Sequence, residues 1–81
     1  MNIYVGNINY DSTEEELREL FASYGSVSSV RILTDRATGR SRGFGFVEME
    51  CREEGQSAID ALDGYELDSR RLRVNEARGK K

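Results

Sequence analysis

Eighty-one residues, 37% of them apolar and 33% charged, leave room for one economical core and not for two domains. One cysteine, Cys51, and no histidine exclude a disulfide framework, the usual zinc ligand sets and a Cys–His catalytic pair. The net charge of -3 speaks against a dedicated phosphate binder, yet acidic residues crowd segments 11–19 and 48–63, while ten of the twelve Lys and Arg lie outside them.

In chain order, residues 3–7 read as a strand by β-branched and aromatic content, closed by Gly6-Asn7. No basic leader with an apolar stretch opens the chain, and no run approaches the ~20 apolar residues of a membrane span, so a cytosolic or nuclear protein is expected, with cytoplasmic as the reading adopted. Thr13 followed by Glu16 forms a capping box that predicts a helix starting near Glu14. Leu17, Leu20, Phe21 and Tyr24 fall on one face of that helix, and Gly25 is expected to end it in a left-handed conformation. Residues 27–34 predict a second strand with Val30 and Ile32 on one side and Arg31 and Leu33 on the other.

A loop over 35–41 leads to a third strand over 42–49, with Cys51 as a small residue at its end. A second helix over 52–62 buries Ala58, Ile59 and Leu62. Its Gly55 costs about 1 kcal/mol relative to alanine unless close packing needs the missing side chain. Leu72 and Val74 mark a fourth strand over 70–75. Residues 1–78 then form the domain and 79–81 a short basic tail.

The order βαββαβ predicts an α+β, ferredoxin-like fold: a four-stranded antiparallel sheet with two helices on one face. Right-handed crossovers put the first and third strands in the centre and leave the other sheet face uncovered. Strand parity sends Ile3, Val5, Val47 and Met49 toward the helices, together with Gly43 and Gly45. Asn2, Tyr4 and Gly6, and Arg42, Phe44, Phe46 and Glu48, then face outward. Three rings on an open face forgo several kcal/mol of burial, which marks a binding surface. Flat rings beside Arg42 suit unstacked bases and their phosphates. Arg31 on the second strand, and Arg73 and Asn75 on the fourth, share the outward parity and widen the site, with Arg78 just beyond. Tyr10 and Tyr65 read as packing residues at helix ends, and Glu48 is open between accepting a base amino group and repelling phosphate.

The run Arg42-Gly43-Phe44-Gly45-Phe46-Val47-Glu48-Met49 resembles the ribonucleoprotein octamer of RNA-recognition-motif proteins. Ile3-Tyr4-Val5-Gly6-Asn7-Ile8 resembles the companion hexamer, and the likeness runs from about Asn2 to Arg78. The whole is similar to the short single-domain bacterial RNA-binding proteins of that family, although Met49 stands where the octamer commonly ends in Phe or Tyr. The resemblance implies that Tyr4 and Phe46 each stack on a base, that Phe44 lies against the sugars between them, and that Arg42 pairs with phosphate.

The expected function is non-catalytic binding of single-stranded RNA, at micromolar affinity and by a monomer, with no cofactor. Single-stranded DNA, or a protein partner on the same aromatic face, is the alternative. With no histidine, no Cys-x-x-Cys pair and no serine beside a plausible base, neither catalysis nor a metal site is expected.

Overall fold

The computed structural model describes residues 1–77, so Arg78 and the expected tail over 79–81 lie outside the described residues. β1 is Asn2–Gly6, α1 Glu14–Ala22, β2 Val27–Thr34, β3 Ser41–Met49 and α2 Arg52–Leu62. Three short strands follow, β4 Glu66–Leu67, β5 Arg70–Arg71 and β6 Arg73–Glu76.

α1 starts where its local chemistry dictates. The Glu16 N–H donates to the Thr13 hydroxyl at 3.1 Å and the Thr13 N–H donates to the Glu16 carboxylate at 3.0 Å, closing the capping box. Its end differs from expectation. Ser23 caps α1 in right-handed conformation, and the Tyr24 N–H reaches back to the Phe21 carbonyl at 2.9 Å. That tightened last turn needs no left-handed residue, and Gly25 is absent from the positive-φ glycines Gly39, Gly43 and Gly64. Gly25 serves close packing instead, because the Glu54 carboxylate of α2 occupies the place a Cβ would take. The same carboxylate accepts the Ser26 N–H at 3.2 Å.

The sheet order is β2-β3-β1-β6, antiparallel throughout, with β1 and β3 central. Val5 pairs with Gly45 on one side and Val74 on the other, while Ile3 pairs with Val47. These inward residues join Leu17 and Phe21 of α1 and Ala58, Ile59 and Leu62 of α2 in one buried core. Both helices therefore cover the same face. Gly55 is also buried, and a Cβ there would displace the Met1 side chain, so close packing does use the missing group. Cys51 is exposed at the N-cap of α2 and makes no side-chain capping bond.

The predicted fourth strand is two strands. Arg70–Arg71 pairs with Glu66–Leu67 in a separate hairpin, and only Arg73–Glu76 joins the main sheet beside β1. The break falls at buried Leu72, whose N–H donates to the Tyr65 carbonyl and whose carbonyl accepts from Gly64, both at 2.8 Å. Asp68 and Ser69 turn the hairpin at φ of 52° and 71°, the sign a two-residue connection demands. Tertiary bonds hold that turn. The Ser12 hydroxyl donates to the Asp68 carboxylate at 2.5 Å, and the Asn9 amide donates to the Asp68 carbonyl at 2.8 Å.

Candidate nucleic-acid interface

Register sets the outward side chains in rows across the strands. Arg31, Phe46, Tyr4 and Asn75 form one row through β2, β3, β1 and β6. Ser29, Glu48 and Asn2 form the next row, and Arg73 lies opposite Gly6 beyond the other side of Tyr4. Phe44 sits two residues before Phe46 on the same side of β3, whereas the positive φ of Gly43 and a register shift opposite residues 41–45 interrupt the alternation before exposed Arg42, which lies at the loop end of the strand. The face thus brings together Tyr4, Phe44, Phe46, Arg42, Asn2, Arg73, Asn75 and Arg31. Arg78 lies outside the described residues.

The rings shelter one another more than parity alone predicts. Tyr4 lies 6.1 Å from Phe44 and 5.9 Å from Phe46 between centroids, and Phe44 lies 6.3 Å from Phe46. The two phenylalanines meet edge to face at 88°, a favourable arrangement that lowers the cost of leaving them without a helix. Tyr4 and Phe44 are half-buried in consequence, and Phe46 is 37% exposed. The result is a shallow, ring-paved platform.

Two glycines shape it. A Cβ on Gly6 would sit 2.8 Å from a Tyr4 ring carbon, so the bare backbone of Gly6 is where the Tyr4 ring lies. A Cβ on Gly45 would strike the Arg31 carbonyl, so glycine lets β2 close against β3 behind the rings. Gly6 belongs to the ring-bearing face as the seat of the Tyr4 ring, and the signal for it is its shared parity with Tyr4. Ser29 is a second addition; it has the same parity as Arg31, and a register shift between Val27 and Ser29 keeps it opposite Glu48.

Charge divides between the two sides of the molecule. The exposed outer surfaces of the helices carry Glu15, Glu19, Glu53 and Asp60, whereas the ring-bearing face carries Arg31, Arg42 and Arg73 against Glu48. Among the described residues the one ion pair is Arg52 with Glu76, at 3.2 Å between α2 and β6. The arginines of the open face are therefore not engaged with carboxylates there. Tyr10 departs from its expected packing role: it is 60% exposed, with the Arg70 guanidinium 5.4 Å from its ring centroid. Tyr65 is likewise 43% exposed. Among the described residues no group of His, Cys, Asp and Glu is placed to hold a metal, and no helix is long and apolar enough to cross a membrane.

Comparison with known proteins agrees with this geometry. The chain is 56% identical over 78 residues to the protein RbpA of Synechocystis sp., covering 96% of this chain and 77% of that one. It is 58% identical to RbpB of Nostoc sp., covering 96% and 76%. Among solved structures, RNA binding protein PG1 superposes with a TM-score of 0.95 at 53% identity, covering 100% of this chain and 98% of that one. The Rna15 RRM with bound RNA (GU) superposes with a TM-score of 0.86 at 37% identity, covering 96% and 83%. The RNA recognition motif family profile matches residues 3–73, and with these relatives it establishes that the chain belongs to that family, which is one of binding modules and not of catalysts.

Proposed function

We propose that this chain binds short single-stranded RNA by taking two bases onto Tyr4 and Phe46, with Phe44 against the intervening sugars and Arg42 on a phosphate. Asn2, Arg31, Arg73 and Asn75 border the platform and widen it toward the sheet edges, and Arg78, outside the described residues, is the remaining candidate contact. The observation that carries this reading is the cluster of three rings on the two central strands, on the face opposite the helices. Stacking contributes about 1–3 kcal/mol per base, so two platforms give about 2–6 kcal/mol. A few phosphate contacts bring the total toward the ~8 kcal/mol of a micromolar complex. One such face per chain fits a monomer on one strand.

Titrating a fluorescent hexaribonucleotide pool tests the reading. Phe46→Ala is expected to weaken binding by about 5- to 150-fold, the equivalent of one lost stack, with the amide spectrum of the fold retained. Unchanged affinity removes the proposal. Matched ribo- and deoxyribonucleotide pools decide the sugar: RNA is expected to bind more tightly, and equal affinity makes the face a general single-strand binder.

A further inference from the structure

An open sheet ends in two strands whose outer backbone groups meet no neighbouring strand, and each such edge is a template for another chain. Here the edges are β2 and β6. The β6 side is covered by the chain itself. The Leu72 N–H donates to the Tyr65 carbonyl and the Gly64 N–H to the Leu72 carbonyl, both at 2.8 Å, and the Val74 N–H donates to the Asp63 carboxylate at 3.0 Å.

β2 has a lighter cover. Its register against β3 is regular over residues 29–32, with shifts on either side. The Arg31 carbonyl points at β3, beside Gly45, so the Ile32 N–H of the same peptide points away from that strand. This N–H donates to the Glu14 carboxylate of α1 at 2.9 Å. Two residues earlier the Val30 N–H turns to the same side, and no side chain or loop carbonyl among the described residues accepts it. A single carboxylate, on an exposed residue, thus covers the regular stretch.

The edge suits a copy of itself. Antiparallel pairing of two β2 strands about Val30 sets this residue opposite the second copy's Val30, where the two exchange N–H and carbonyl bonds. Val30 is only partly buried in the single chain, so the pair covers apolar surface. On the ring-bearing side Arg31 then lies opposite the second copy's Ser29, in the row where Ser29 itself faces Glu48. Opposite charges share that row, and the two copies of Arg31 do not meet. In this register the Ile32 N–H needs the second copy's Ser28 carbonyl, but the Glu14 carboxylate already holds that donor.

We infer that β2 is a pairing edge for the β2 of a second copy, and that Glu14 keeps it closed by holding the Ile32 N–H. The guard keeps each ring-bearing face on a separate chain. Without it, two sheets join edge to edge with both ring clusters on one side.

Sedimentation velocity at rising protein concentration tests this without RNA, with amide spectra confirming that each variant is folded. The parent and Glu14→Gln are expected to stay at monomer mass, because the amide oxygen of glutamine still accepts the Ile32 N–H. Glu14→Ala is expected to move to dimer mass as concentration rises. Adding Val30→Pro returns it to monomer mass, since proline takes a donor from the outer edge and leaves the ladder to β3 intact. Glu15→Ala, which removes the same charge one residue away, is expected to stay monomeric. At dilutions where Glu14→Ala is monomeric, its Ile32 amide is expected to exchange about 10- to 150-fold faster than the parent's, as for loss of a bond to a charged group. A parent already dimeric, a monomeric Glu14→Ala at every concentration, equal association by Glu15→Ala, a dimer that survives Val30→Pro, or unchanged Ile32 exchange overturns the inference.

Discussion

At Gly6 and Gly45 the missing side chains do opposite jobs. Gly6 is buried, but what covers it is the far end of a side chain that can swing away, so Gly6→Ala is expected to change stability by less than about 1 kcal/mol. It displaces the Tyr4 ring from its seat, however, and binding of the RNA pool should weaken by about 5- to 150-fold, as for loss of one stack. The obstacle at Gly45 is the backbone of β2, which cannot swing. Gly45→Ala is therefore expected to destabilise the fold by about 1–3 kcal/mol, read as a lower urea midpoint. Both glycines sit inside a motif visible in the sequence, and parity named the side each belongs to. Which of them serves ring placement and which serves strand contact depends on distances that parity does not contain.

Elements whose signals are local were legible in advance. α1 begins at its capping box and α2 spans 52–62 as predicted, because a cap and a 3.6-residue apolar period act within a few residues of each other. Thr13→Ala removes one cap and is expected to cost about 1 kcal/mol, seen as a fall of about 4–8 °C in Tm, with RNA affinity unchanged because the helix faces away from the rings. The end of α1 and the fourth strand were not legible. Gly25 looked like a helix terminator, but the carboxylate that explains it comes from Glu54, far along the chain. The β4–β5 hairpin turns through Asp68-Ser69, residue types common in turns but without the glycine that favours two positive φ angles, held by Ser12 and Asn9. A window of sequence around Arg70 contains neither partner.

Over the whole molecule, the net charge of -3 conceals a division between acidic helices and an arginine-bearing sheet face. This separation keeps most carboxylates on the far side of the sheet from a bound phosphate, where solvent ions screen them. The sheet face offers Arg31, Arg42 and Arg73, so at most about three phosphates are neutralised there. These three contacts are expected to contribute a slope of log K against log salt of about -2, with Arg73→Gln making it shallower by about 0.7. Anisotropy titrations across a range of KCl concentrations measure it. A slope near -5 would require basic residues beyond that face.

By itself the sequence determined the element order, the inward and outward sides of the central strands, and hence the exposure of Tyr4, Phe44 and Phe46. These follow from alternation and periodicity, which act between near neighbours along the chain. The tertiary structure alone decided how the rings shelter one another, why Gly25 is small, where the last strand breaks, and that Tyr10 is exposed with the Arg70 guanidinium over its ring. Each of these depends on which distant segments come into contact, and only the packed fold sets those distances.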